Sequence, residues 1–535
     1  VQELNSSVNA YGIYSMGGLE DDLVFEGDLS VQATIKPLIR DGVVLADQAN
    51  AYSLFATGNG AIRLNDQGIS KITLVGDLGT GVSGMDNRVT VDLSNSTSYF
   101  QGTVKANEGS IFLTLAEGAT WRPQGDGNID ATFGESGGQL DLKSGGVVDL
   151  AWWNNQNSRL NPTNQFRTLT IDHATLEDGG IFRVNSDVLH GQADRINIVD
   201  ASGGGTQYIQ VAYDPSMTGA GGVLGALPGN EPIVLDIQGG TALDQVVGKM
   251  YQSDSPLHQY EIDPTIVSDG HQIRIGSLHY TRTENLSETP YTVVDAHAAF
   301  RNFCILEGNN VLRRMGDLRL APEENTSGAW ARVYGGKLTS DSSYQRTFEQ
   351  KYTGIQGGYD REHLLRNGKL YTGVMFNYLD SSPSYSSGSG SLYSKGLGAY
   401  GSWIGKNNHH VDLVLRASRL NNEYHLVDNN GNFASGSYDA WAYGMSAEYG
   451  YRAQLKNQFF LEPQFELSFG HIGSADHKTD SGLSVQQSSI NTAQSRIGLL
   501  IGKDFGSKTQ KGNAYFRGSW VHDFSSNGTL DGFYQ

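Results

Sequence analysis

Two adjacent asparagines, Asn309-Asn310, sit in the stretch Glu307 to Arg319, which reads EGNNVLRRMGDLR. An asparagine can cut its own chain when the side-chain amide nitrogen attacks its own backbone carbonyl, leaving a C-terminal succinimide and freeing the amine of the next residue. In water the reaction is slow, because the amide nitrogen is a poor nucleophile and the attack geometry is rarely populated. A site that fixes that geometry and offers carboxylates to accept a proton supplies both missing parts. Other catalytic signatures are poor. Thr479-Asp480-Ser481-Gly482 lacks the first glycine of Gly-Asp-Ser-Gly and reads as a loop, and Gly81-Val82-Ser83-Gly84 lacks the full nucleophile-elbow spacing. His409-His410 are adjacent and precede a strand; as the sequence has no HExxH pattern and no cysteine cluster, a zinc site is not expected from it and no cofactor is called for.

The elements around the asparagine pair differ on its two sides. Before it, Pro290 stands at a plausible first helical turn, and Asp295, Ala296, Ala298, Ala299, Phe300 and Leu306 carry no strand alternation, which predicts a helix. After it, aromatic-rich segments alternate between apolar and polar residues. Leu370, Thr372, Val374, Phe376 and Tyr378 share one face; so do Val411, Leu413 and Leu415; Tyr443, Met445, Ala447 and Tyr449; and Leu461, Pro463, Phe465, Leu467 and Phe469. Opposite them fall Asp412 and Arg416, Glu448 and Arg452, and Glu462, Gln464 and Glu466. If the apolar face meets lipid, these charges point into a lumen, the weak per-segment signature of a transmembrane β-barrel. Pro463 cannot donate to a ladder and is expected to mark a bulge. Ser381 to Gly388 reads as a turn or outward loop.

Composition agrees with a turn-rich β protein. Of 535 residues 68 are Gly and 26 Tyr, while charged residues make up 18%. A net charge of −19 argues against nucleic acid as a partner, since binding by counterion release needs excess Lys and Arg. The single cysteine, Cys304, rules out an intrachain disulfide framework. No run of 18 or more apolar residues predicts a transmembrane helix. The first residues, Val1 to Asn5, have neither the basic nor the apolar region of a signal peptide.

From Val1 to Phe166, short apolar segments such as Ile72-Thr73-Leu74-Val75, Ile111 to Leu115 and Val147 to Leu150 are separated by Gly, Asn and Asp at irregular intervals. The pattern fits a parallel β-helix, in which each coil buries its apolar face by stacking on neighbours; an ordinary β-sandwich is the alternative. Residues 167–286 carry Gly179-Gly180-Ile181-Phe182, then Gly191-Gln192-Ala193-Asp194, then the alternating Gln207 to Val211.

Those phrases resemble the pertactin-like cap that ends autotransporter passengers. Asn309-Asn310 followed by Arg313-Arg314-Met315-Gly316-Asp317-Leu318-Arg319 resembles the linker of bacterial autotransporters, above all the serine-protease subgroup whose passengers are released by cleavage between two asparagines inside the barrel pore. The resemblance covers roughly Arg167 to Gln535. It implies an all-β chain with one helix: passenger β-helix (1–166), folding cap (167–286), pore-threading linker helix (287–322) and an antiparallel outer-membrane β-barrel (323–535). Eight or nine strands are expected after Thr326 against the family's twelve, so the chain is expected to be a fragment lacking C-terminal strands as well as its N-terminus, with a basic residue that the family uses late in the barrel falling beyond Gln535. By motif matching, the family's lumen acids fall on Asp412, Glu448 and Glu466, with Asn309 as nucleophile and Asn310 as new N-terminus. The implied partners are outer-membrane lipid, the barrel-assembly machinery, periplasmic chaperones and an unidentified host or surface ligand. The rival expectations are an adhesin whose passenger stays attached and a secreted enzyme whose active site lies upstream.

Overall fold

The computed structural model describes all residues except 1–7, 18–22, 35–38, 41–42, 45–48, 66–69, 83–85, 124–129, 134–137, 153–165, 321–326, 507–510, 526–528 and 535. The chain divides into two compact units, Val1–Ser287 with Asp428–Phe433, and Glu288–Val427 with Ala434–Gln535.

The first unit winds its strands into stacked parallel sheets, as a β-helix does, and not into the antiparallel sheets of a sandwich. The register explains why the irregular sequence nevertheless forms a regular core. Leu74 pairs with Phe100, Phe100 with Trp121, Trp121 with Val148, Val148 with Phe182 and Phe182 with Ile209, giving one apolar column across six strands. On a second sheet Leu64, Val91, Leu113, Leu140 and Ala174 stack in the same way. All these side chains are buried. Each strand contributes alternate residues to the inside, so the coils need matching parity at the wall and tolerate any length between walls. At a turn, Asn87 Nδ2 donates to the carbonyls of Gly81 and Glu108 at 3.0 and 3.1 Å, and its Oδ1 accepts from the Asn59 amide at 2.9 Å. One buried side chain thus satisfies three backbone groups of successive coils.

The coil stack closes by a change of pairing. Ile233–Ile237 pairs in parallel with Arg195–Gly203 on one side and antiparallel with Gln272–Leu286 on the other, and the hairpin of His258–Ser268 with Gln272–Leu286 continues outward. This covers strand edges that a bare solenoid end would expose. The Gly-x-x-Asp phrase has a local role here. Asp194 is fully buried; Oδ1 accepts from the Arg167 amide and Oδ2 from the Asn185 amide, both at 2.8 Å. Gly191, at φ 68°, ends the short turn before it, and a Cβ there would lie 2.3 Å from Asn230 Nδ2.

The second unit is an antiparallel barrel sheet with a helix, α1 (Glu288–Leu320), inside it. Nine long strands follow in sequence order: Gly328–Asp341, Thr347–Leu365, Gly368–Tyr385, Gly388–Gly405, His409–Val427, Phe433–Tyr451, Phe459–Ile472, Ile490–Gly506 and Lys511–Asp523. They are called the first to ninth barrel strands below. Outward positions are large and apolar, including Val374, Phe376, Leu413, Leu415, Met445, Phe465, Phe469, Ile497 and Leu499, all exposed. Inward positions are polar and buried, including Gln350, Gln356, Ser394, Ser402, Asp412, Asn422, Glu448 and Glu466. That inversion, apolar out and polar in, is the pattern of a lipid-facing barrel wall. No helix among the described residues is long and apolar enough to cross a membrane.

Two sequence expectations change. The stretch from Ser381 is strand up to Tyr385, with only Ser386-Ser387 forming the turn. Small polar residues there signal a lumen-facing strand as readily as a loop. Pro463 marks an interruption and not a bulge: its strand pairs with Gly450 through Gln464 and with Ala453 through Leu461, the same register resuming after a gap. The missing N–H therefore falls where the pairing lapses.

Pro290 sits in the first turn of α1, where no intrahelical bond is lost, and the apolar residues that follow recur at helical spacing, as in Ala296, Ala299, Phe300 and Phe303. Thr292, Asp295, Ala296, Ala299, Phe300, Phe303, Cys304 and Glu307 form one buried face, and Val294, Ala298, Arg301 and Ile305 on the opposite side are half-buried. Its partners run around the wall. Asn302 donates to Ser340 on the first strand, Gln350 on the second donates to the Ala299 carbonyl, and Asn422 on the fifth donates to the Ala296 carbonyl. Phe300 packs edge-on against Tyr438 of the sixth strand, and Arg301 pairs with Asp523 of the ninth. A helix touching so many strands fills the lumen.

Candidate functional site

Among the described residues, two polar clusters on the lumen side bear on function. One fixes α1. Glu307, 2% exposed, accepts from Asn377 Nδ2 at 2.6 Å, from Ser394 Oγ, and from Arg416 Nη1 at 3.2 Å. Arg416 Nη2 also donates to the Cys304 carbonyl at 2.9 Å, and Tyr334 Oη donates to Asn377 Oδ1 at 2.9 Å. The buried carboxylate is thereby paired and hydrogen-bonded, the condition under which a charge is tolerated in a dry interior. At the start of α1, Arg346 bridges Glu288 at 2.9 Å and Asp295 at 3.1 Å.

The second cluster contains the predicted acids. Asp412 lies on the fifth strand, Glu448 on the sixth and Glu466 on the seventh, all buried on the lumen side as the alternation requires. Register sets their neighbours: Glu448 stands directly across from Glu466, and Asp412 across from Ser402. Ser402 Oγ donates to Asp412 Oδ1 at 2.5 Å, and Ser468 Oγ to Glu466 Oε1 at 2.8 Å. The basic partners escaped the sequence reading, which looked beyond Gln535 for one. Arg496 Nη1 on the eighth strand is 3.2 Å from Glu466 Oε2, and Arg517 Nη2 on the ninth is 3.7 Å from Glu448 Oε2. Arg496 shares its parity with Gln494 and Gly498 opposite Ile497, Leu499 and Ile501, an alternation that could have found it, whereas Arg517 has Tyr515 and Val521 at its own parity and carries no such signal.

Two more groups join this cluster. Glu462 accepts from Gln464 Nε2 at 2.7 Å. His410 Nε2 lies 3.5 Å from Glu448 Oε1 and 3.9 Å from Glu462 Oε1, while His409 on the other face bonds Tyr449 Oη at 2.7 Å. The histidine pair is thus split by the pleat, one ring outward and one inward. Asn309 and Asn310 lie within the span of α1, and their side chains are outside the described residues. Thr479-Asp480-Ser481-Gly482 is the turn between the strands Ala475–Lys478 and Leu483–Gln487, with Thr479 and Ser481 bonded to each other at 2.8 Å.

Residues 329–534 match the family model described as autotransporter beta-domain. The BrkA autotransporter of Bordetella pertussis is 24% identical over 437 residues, covering 80% of this chain and 41% of that protein. The pertactin autotransporter of Bordetella parapertussis is 30% identical over 229 residues, 42% of this chain and 24% of that one. The serine protease Pet autotransporter of Escherichia coli is 26% identical over 446 residues, 81% of this chain and 30% of that one. The chain spans less than half the length of each of these relatives. A polar-lumen antiparallel sheet enclosing a helix and the family match over the same residues lead to one conclusion: the C-terminal part of the chain, residues 329–534, belongs to the autotransporter β-domain family.

Proposed function

We propose that this chain is the secreting end of an autotransporter: its barrel sits in the outer membrane and carries the segment N-terminal to α1 to the cell surface, where the pertactin-like cap helps the β-helix fold. The observation that carries this reading is α1 itself, a helix that leads into the barrel and is held in its lumen by bonds from strands around the wall. Lipid is the partner of the apolar outer face, and delivery to the membrane calls for periplasmic chaperones and the barrel-assembly machinery. In this reading the passenger is then released between Asn309 and Asn310. The Asn309 amide nitrogen attacks the Asn309 carbonyl carbon, the bond to Asn310 breaks, and the departing amine takes up a proton. Asp412, Glu448 and Glu466 are the carboxylates that assist proton transfer, with Arg496 beside Glu466 and Arg517 beside Glu448.

Intact-mass analysis of passenger recovered from culture supernatant tests the release. The expected C-terminus is Asn309, with release abolished in Asn309→Asp. Passenger found only on washed cells favours the surface-attached adhesin instead, and a terminus elsewhere removes Asn309 from the mechanism.

A further inference from the structure

We propose that His410, Asp412 and Glu448 form a binding site for a divalent transition-metal ion of the zinc class in the wall of the lumen, with Glu462 completing the shell. One ligand atom from each of the three lies within 4.8 Å of the others, and all three residues are buried. Zinc bonds imidazole nitrogen at ~2.0–2.1 Å and carboxylate oxygen at ~2.0–2.2 Å, so two ligands on one tetrahedral ion stand about 3.4 Å apart. The 3.5 Å between His410 Nε2 and Glu448 Oε1 has that spacing, and the Glu462 oxygen at 3.9 Å approaches it.

The state of the imidazole points the same way. His410 is 2% exposed and its Nε2 makes no hydrogen bond, although it faces two carboxylates. A buried ring nitrogen left without a bond costs free energy, and a metal ion would use that lone pair. The strands supply the orientation. His410 and Asp412 are two residues apart on one strand and so share its inner face, and the next two strands bring Glu448 and Glu462. Ser402 holds Asp412 Oδ1, Gln464 holds Glu462 Oε1, and Arg517 approaches Glu448 from its Oε2 side, leaving Oε1 toward the ring. Such outer contacts aim metal ligands. Room for the ring depends on Gly450, where a Cβ would lie 2.3 Å from His410 Cε1 and 2.5 Å from Nε2. One imidazole with two or three carboxylates is a donor set suited to zinc, and poorly suited to magnesium or calcium, which favour oxygen alone.

The site stands on this geometry whether or not the chain cuts itself. If it does, the ion would occupy Asp412 and Glu448 and withhold them from proton transfer.

The test is equilibrium titration of the folded full chain in detergent micelles, stripped of metal, with Zn²⁺ alone, and with Co²⁺ for its visible ligand-field spectrum. One tight equivalent is expected, with a tetrahedral cobalt band. His410→Ala abolishes both, the near-isosteric Glu448→Gln and Asp412→Asn weaken binding at least tenfold, and His409→Ala leaves it unchanged. Folding of each variant is checked by its heat-dependent mobility shift. Ser402→Ala, which removes an orienting contact, lowers affinity by about 10- to 100-fold. Binding that survives in folded His410→Ala, or is lost equally in His409→Ala, overturns the site, as does no tight binding in the unsubstituted chain.

Discussion

Replacing Glu307 by alanine should loosen α1 inside the barrel, and the chain carries its own probe. Removing the carboxylate leaves the half-buried Arg416 with its Cys304 carbonyl contact but without its counter-charge, and leaves Asn377 Nδ2 and Ser394 Oγ without their acceptor. Breaking a buried ion pair from one side costs about 3–5 kcal/mol, because the surviving charge stays desolvated. Cys304, the only cysteine, is fully buried three residues earlier on the same helix. A thiol reagent reaches it only when the helix moves out. If reclosing is faster than labelling, the rate follows the population of the open state, and each ~1.4 kcal/mol is a factor of ten. Glu307→Ala should therefore label about 100- to several-thousand-fold faster. The double variant Glu307→Leu with Arg416→Met removes both charges and should return most of the way toward the native rate, since apolar replacements of buried pairs are often neutral. Labelling of Glu307→Ala within threefold of native, or as slow as the double variant, would refute the view that this pair holds the helix.

The β-helix makes its own demands. Gly109, at φ 104°, would place a Cβ 2.2 Å from the Asn87 carbonyl oxygen, so Gly109→Ala should destabilise the first unit by about 3 kcal/mol through strain and overpacking. Gly229, at φ 81° with open space around it, should cost only about 1–2 kcal/mol on the same change; denaturant midpoints of the two variants give the comparison. Burial, with help from the Asp187 charge, raises the Asp214 carboxyl above the usual carboxylate range, against the pull of the Val188 and Ser216 amides. A group that binds its proton more tightly when folded stabilises most at acid pH, and this contribution fades as pH rises through the folded value. The stability difference between the native chain and Asp214→Asn should therefore shrink from pH 4 to pH 7, and a difference that widened would reverse the assignment.

What could be read from sequence follows from how far apart the determining residues are. Inner and outer faces of the barrel needed only parity along one strand, so Asp412, Glu448 and Glu466 could be placed inward from their immediate neighbours. The length of the third strand was missed because Ser381 to Tyr385 has the small polar residues of a loop, and a lumen wall accepts the same residues. In the β-helix the column from Leu74 to Ile209 is formed by positions whose spacing varies, since only the wall positions must align and the turns between them are free. Which acids meet which bases is harder still, because it depends on register between strands. Arg496 faces Glu466 through one pairing, and His410 reaches Glu448 and Glu462 only after the fifth, sixth and seventh strands are aligned. A one-residue slip would turn each of these side chains toward lipid. The buried charges therefore act as a register constraint as well as a site: the correct alignment is the one that lets His410, the three glutamates and the two arginines share the lumen.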